Sequence, residues 1–412
     1  MKNPLQIPIL KWTLLGSLIG LLSGSASAVF LHSLTWATQT RQDSPLLLLL
    51  LPVVGLFMGY SYYRFGANAG LGNQLVIAEA NKRNERIPFR MAPMVLVGTV
   101  LTHLFGGSAG REGTAIQMGA SLADSLKRIF QLEARDHRLM IIAGISGGFG
   151  SVFGVPIAGF IFGLEVQKIG RIRYNAVIPA LMASVVGDWT TRSLNAPHTK
   201  YPDLPTLGLD LGLFSKVILA GALFGLSAIL FIELISLLKK LWLKITPRKW
   251  LHPVIGGFII IGLDLIFGSQ YLGLSLELIE NATQGEMIEP WVFALKTLFT
   301  GVTLSSGFLG GEVTPLFVIG STLGSALAPL LQLDPGFLAA LGLVAVFAGA
   351  SNTPLACALM GVELFGGGSI LYVFTACYVA FIASGHRGIY QTQKLWINKN
   401  DPAEIPSHQS IK

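Results

Sequence analysis

The chain has 412 residues, of which 52% are hydrophobic and only 12% charged, with a formal net charge of +7. Soluble domains carry about 25% charged residues, so this composition excludes a water-soluble globular protein and points to lipid. Backbone groups in hydrocarbon must bond within the protein, which leaves helices or closed barrels. The long continuous apolar runs exclude a barrel, whose strands would alternate.

In chain order, residues 12–38 form the first apolar run, preceded by Lys2 and Lys11. The small residues SGSASA at 23–28 inside it are compatible with a signal-peptidase site, but in so polytopic a chain they read as a close helix contact. Further runs occupy 46–63, 93–108, 212–238, 252–268 and 370–384, and the pattern predicts ten to fourteen membrane helices, several too short to cross alone. Cations gather at 82–90 (Lys82, Arg83, Arg86, Arg90), 168–173 (Lys168, Arg171, Arg173) and 239–249 (Lys239, Lys240, Lys244, Arg248, Lys249). Acids prevail at 203–210 and 277–289, while 127–138 is mixed. The positive-inside rule then places the basic loops and the N-terminus in the cytoplasm of a multi-pass plasma-membrane protein. These clusters are short caps without interleaved aromatics, so nucleic acid is not an expected partner. Cys357 and Cys377 lie in apolar surroundings and carry no redox signal. After Tyr390 the tail, 391–412, is polar and too short to fold alone.

Two glycine-rich breaks interrupt the apolar runs, GGSAGREGT at 106–114 and GFLGGEVTP at 307–315. Superposed, they pair Gly107 with Gly307, Gly110 with Gly310, Glu112 with Glu312 and Thr114 with Thr314. The repeat continues through 145–165 and 343–363, where Pro156 matches Pro354, Gly163 matches Gly361 and Glu165 matches Glu363. One transmembrane domain spanning 1–412, made of halves at 10–190 and 210–390, is therefore expected. Two such halves, if inverted, build a shared site at their interface near the bilayer midplane.

The breaks have a physical purpose. Glycine lets backbone approach a ligand closely, and a helix starting there, predicted over 112–126, turns free N–H groups and a positive dipole end toward it. The result is an anion site that needs no lysine. A second helix is expected from Thr314 or Pro315, and a third break, NAGLGNQLV at 68–76, offers the Asn73 amide to the same point. Glycines alone would only permit tight packing; the carboxylates in the breaks ask for more. A glutamate at membrane depth costs roughly 2.5–3.5 kcal/mol on insertion scales. Ionised, Glu112 competes with an anion for the same donors; protonated, it is free to leave. Anion occupancy and protonation become linked. The competing readings are an ion pair with Arg111 for Glu112, a helix cap for Glu312 and for Thr314, and an interfacial anchor for Tyr390. Glu165 and Glu363 read as caps or helix-contact groups. No motif calls for a metal or a cofactor. An intramembrane enzyme would need a nucleophile near the glutamates, where His103 is the one neighbour and reads as a packing residue.

These residues resemble the chloride-channel (CLC) family of anion channels and anion–proton antiporters. GREGT at 110–114 resembles its GREGP signature, GGEVTP at 310–315 its GGxFxP element, and GLGNQLV at 70–76 sits where it carries GSGIP. The resemblance implies an all-α polytopic fold, an inverted-repeat helical bundle with broken helices meeting near the bilayer midplane. It also implies a homodimer whose subunits each hold a pore, with the gating glutamate at Glu112 and a central-site tyrosine at Tyr390. Departures are the absent selectivity serine, with Asn73 there instead, Thr114 for proline, Val313 for phenylalanine, acidic Glu312 beside it, and Val166 where an inward-facing glutamate is usual. That set is similar to the fluoride–proton antiporter branch. It implies an anion site of Asn73, Gly110, Arg111, Gly113, Thr114, Val313, Thr314 and Tyr390, with Glu112 and Glu312 coupling a fluoride or other halide to protons. A chloride–proton antiporter or passive chloride channel of the same fold is the alternative. No nucleotide control is expected.

Overall fold

A computed structural model describes residues 6–81, 86–130, 132–397 and 399. Lys2, Lys82, Arg83 and the tail from residue 400 onward, which the charge and tail arguments invoked, lie outside the described residues. Sixteen α-helices occur among those described. The first half holds α1 (Gln6–Asp43), α2 (Leu51–Ser61), α3 (Asn73–Ala80), α4 (Met91–Leu104), α5 (Glu112–Phe130), α6 (Ala134–Phe153), α7 (Pro156–Glu165) and α8 (Val177–Ser193). The second holds α9 (Leu211–Ile245), α10 (His252–Phe267), α11 (Leu276–Thr283), α12 (Val292–Ser306), α13 (Val313–Leu331), α14 (Pro335–Ser351), α15 (Pro354–Phe365) and α16 (Ile370–Ala383). Sixteen exceeds the ten to fourteen expected because α3 and α11 are eight-residue pieces. Helix α5 runs on to Phe130 rather than stopping at 126, and α13 starts one residue before Thr314.

Five segments are long and apolar enough to cross a membrane: Ile9–Asp43, Pro45–Ala80, Leu211–Ile245, Lys249–Phe267 and Val313–Leu331. Six apolar helices of 10–17 residues, α4, α7, α12, α14, α15 and α16, fall short of a full span. This is a multi-pass membrane fold built partly from half-length helices.

The repeat is visible in the packing. Helix α1 lies against α8 as α9 lies against α16, and α5 on α6 as α13 on α14. Close crossings need small residues. A Cβ on Gly16 or Gly20 would come within 2.8 Å of the Pro179 or Ala183 carbonyl oxygen of α8. The residues 23–28 thus belong to an uninterrupted α1, with Ser27 Oγ hydrogen-bonded to Ser151 Oγ of α6 at 2.7 Å. Glycines likewise face each other where α5 meets α6 (Gly119, Gly144) and where α13 meets α14 (Gly320, Gly342). From Leu139 to Phe153, α6 is buried on every face, as is α14 from Gly336 to Ser351. Helices apolar all round are core helices. These two pack on α5 and α13, the helices that follow the breaks.

Candidate anion site

The two glycine breaks meet. Gly110 N–H donates to the Gly311 carbonyl at 2.7 Å and Gly311 N–H donates to the Gly110 carbonyl at 2.8 Å, an antiparallel pair. Chains that pass antiparallel leave in opposite directions, so α5 and α13 depart from one point on opposed courses, as an inverted repeat requires. A Cβ on Gly110 would stand 2.9 Å from both the Gly311 oxygen and Pro315 Cδ. Only glycine permits that approach.

Glu112 is fully buried, and its carboxylate sits on the start of α13. Oε1 accepts from Thr314 Oγ1 at 2.6 Å, while Oε2 accepts from Thr314 N–H at 3.0 Å and Arg111 N–H at 3.2 Å. The Arg111 guanidinium adds a contact at 3.5 Å, within ion-pair range but without hydrogen-bond geometry. Both readings of Glu112 are therefore present, the Arg111 pair and the occupied helix end, and the helix end supplies the shorter bonds. Thr314 uses its hydroxyl and its amide on the same carboxylate.

The other half is not a mirror copy. Thr114 Oγ1 pairs with Thr99 Oγ1 at 2.7 Å, and Glu312, half-buried, leaves its buried Oε2 atom without a hydrogen-bond partner among the described residues. The space at the start of α5 is taken from the third break. Helix α3 begins at Asn73 after Gly72 at φ +56°, and Asn73 Nδ2 lies 2.8 Å from where a Gly113 Cβ would stand. Glu312 Oε2 is 3.7 Å from that same point. Asn73, Gly113 and Glu312 thus share one spot, and Val313 is fully buried beside it.

Tyr390 is buried, which removes the interfacial-anchor reading. Its ring meets Phe162 edge-on at 6.3 Å, and its hydroxyl lies within electrostatic reach of Glu312 and Glu112. Thr392 Oγ1 donates to the Gln74 carbonyl at 2.9 Å, tying the segment after Tyr390 to the residue after Asn73. Among the described residues neither the Tyr390 hydroxyl nor Asn73 Oδ1 has a protein partner. A buried hydroxyl left so costs stability unless something accepts its proton, and an anion would.

One arrangement escaped the sequence, the Thr99–Thr114 pair, while His103 packs as expected. Thr99 engages Thr114 from α4, and its spacing to Thr114 carries no helical signal. His103 is fully buried, its ring nitrogens 2.8 Å from the Thr99 carbonyl and 3.1 Å from the Ala109 carbonyl, so it packs behind the break rather than facing a ligand. The helix-ending glutamates cap each other's partners. Glu165 accepts from Leu355 and Ala356 N–H at 3.2 and 2.9 Å, and Glu363 from Ile157 and Ala158 N–H at 2.9 and 2.7 Å.

The sequence model of the voltage gated chloride channel family matches residues 54–385. The chain belongs to that family. Within the voltage gated chloride channel family, it is 44% identical to a chloride/fluoride channel protein of Pseudomonas syringae pv. tomato, over 98% of this chain and 92% of the relative. It is 26% identical to an H(+)/Cl(-) exchange transporter of Vibrio parahaemolyticus, over 96% and 92%. The crystal structure of a CLC-type fluoride/proton antiporter superposes with a TM-score of 0.91 at 34% identity, covering 96% of this chain and 100% of that one. A slow cyanobacterial Cl-/H+ antiporter shares the fold, with a TM-score of 0.79 at 22% identity, covering 90% and 94%.

Proposed function

We propose that this chain is an anion–proton antiporter that exports fluoride in exchange for protons, with Glu112 as gate and proton carrier and Glu312 as the second coupling carboxylate. One observation carries the reading: the Glu112 carboxylate occupies the amide and hydroxyl of Thr314 at a helix N-terminus, donors suited to an anion. Carboxylate and halide compete for that place. Protonation of Glu112 removes its charge-assisted bonds, and the anion takes the donors. Re-ionisation ejects the anion and releases the proton to whichever side the carboxylate then faces. Each cycle exchanges one species for the other, the reciprocal coupling that antiport requires.

Glu312 Oε2, Asn73 Oδ1 and the Tyr390 hydroxyl add polar atoms that have no protein partner among the described residues. Two hydroxyls and a helix end favour fluoride, the halide that accepts hydrogen bonds most strongly, and a second carboxylic acid beside it offers a shared proton. The names of the 44% and 34% identical relatives, a chloride/fluoride channel protein and a fluoride/proton antiporter, support this choice of anion. The basic loops support a cytoplasmic N-terminus, and the family supports a homodimer in the plasma membrane. The selectivity test is efflux from proteoliposomes loaded with equal fluoride and chloride. Faster fluoride loss is expected; chloride leaving as fast or faster would transfer the assignment to a chloride carrier.

A further inference from the structure

Between α7 and α8 the loop 168–175 folds against the segment that follows Tyr390. Lys168–Ile169 pairs in parallel with Lys394–Leu395, and Trp396 N–H donates to the Ile169 carbonyl at 3.2 Å. Gly170, at φ +80°, has Ile397 where a side chain would go, so the loop can turn tightly beneath that segment. A cavity of about 790 Å³ opens there, lined by Lys168, Arg171, Arg173 and Tyr174 among others, and among the described residues no carboxylate lines it.

Three facts make this cavity anion-seeking. Among the described residues the charges that act on Arg173 are those of Arg138 and Arg171, both of its own sign. Among the described residues no carboxylate lies within 4.0 Å of Arg171 or Arg173. The Arg171 guanidinium stacks 4.1 Å above the Trp396 ring, and stacking by one face fixes the plane while its N–H edge stays available for a planar or tetrahedral oxyanion. Held cations of one sign repel, and an anion between them removes that repulsion. Tyr174 is 78% exposed beside them, an amphipathic ring of the kind enriched at membrane–water interfaces.

We infer that this cavity binds a phosphate-bearing anion, with the headgroup of an anionic membrane lipid as its source, and that its occupancy steadies the segment carrying Tyr390. The link is short. Gln393 N–H donates to the Tyr390 carbonyl at 3.0 Å, and the Gln393 side chain donates to the Val166 and Ser351 carbonyls at 2.8 Å each. The loop, the β pairing and the hydroxyl at the anion site form one bonded train. The effect on transport rests on the anion-transport reading; the binding does not.

The test compares the full-length protein with an Arg171→Ala/Arg173→Ala variant that elutes as the same monodisperse species. In native mass spectra with added phosphatidylglycerol, wild type should retain the lipid and the variant should retain at least about tenfold less, the loss of one or both arginine bonds. Phosphatidylcholine should not distinguish them. A parallel thermal-shift titration with inorganic pyrophosphate identifies a free phosphate as the source if pyrophosphate alone separates the two proteins. Equal phosphatidylglycerol retention together with equal pyrophosphate shifts would overturn the site. In phosphatidylcholine vesicles with and without phosphatidylglycerol, wild-type fluoride efflux should change and the variant's should not; a matching change in both would overturn the coupling to Tyr390 while leaving the binding result to stand or fall by itself.

Discussion

Glu112→Gln isolates the competition between carboxylate and anion. The carboxylate holds Thr314 through a 2.6 Å bond from the hydroxyl and a 3.0 Å bond from the amide. Glutamine keeps the shape but carries one acceptor oxygen and no charge. Bonds to a charged group contribute about 1.5–3 kcal/mol against about 0.5–1.5 kcal/mol for neutral ones, so the two Thr314 bonds together weaken by about 2–3 kcal/mol. A competitor weakened by that much yields its place about 30- to 150-fold more readily. Fluoride titrated calorimetrically into the detergent-purified variant should therefore bind more tightly than to wild type, by up to that factor. Proton movement in vesicles should stop, because an amide does not titrate. An unchanged Kd with proton coupling intact would refute the reasoning.

Thr314→Val removes the hydroxyl and keeps the amide, so discrimination between fluoride and chloride should fall while expression does not; unaltered discrimination would reduce Thr314 to a helix cap. Glu363→Ala strips the acceptors from Ile157 and Ala158 N–H, at a cost of about 1–3 kcal/mol. It should lower Tm while leaving the ratio of anions to protons untouched; a changed ratio would put Glu363 in the transport path. Lys399, in the tail beyond the membrane segments, donates to the Phe381 carbonyl at 2.8 Å and Ser384 Oγ at 3.1 Å. Burial there brings its ammonium down to about 7 from 10.5. The unfolded tail then holds the extra proton between those values, so stability should rise with pH from about 7 toward 10.5 and be lost as pH falls to 7. Tm measured at pH 7 and pH 9 should climb in wild type more than in Lys399→Met, and parallel curves would contradict the assignment.

The breaks and their carboxylates were legible because glycine and a membrane-depth glutamate are both costly where they have no use, and because the repeat doubled the signal. The half-length helices were legible for the same reason: apolar runs stop early at Gly106 and Ser306. What the two halves do differently was not. Glu112 and Glu312 occupy matching positions, yet one takes the opposite helix end and the other shares space with Asn73. That asymmetry comes from α3, a short helix whose direction depends on the Gly72 turn and on contacts hundreds of residues away, such as Gln74 with Thr392. The mutual capping by Glu165 and Glu363 was half visible. Their positions at helix ends read as caps, but each caps the partner half's helix, a pairing that exists only once the repeats are folded together. Tyr390 shows the limit most plainly. Its distance from the last apolar run fits an anchor equally well, and only the turn back over Phe162 buries it.

The most direct measurement places the purified protein in vesicles with a fluoride gradient and no initial pH difference, and records internal fluoride and pH together. Fluoride leaving down its gradient should draw protons inward, against the pH difference that builds up, in fixed proportion to the anion lost. Fluoride efflux with no accompanying proton uptake would contradict a carboxylate that trades places with the anion it guards.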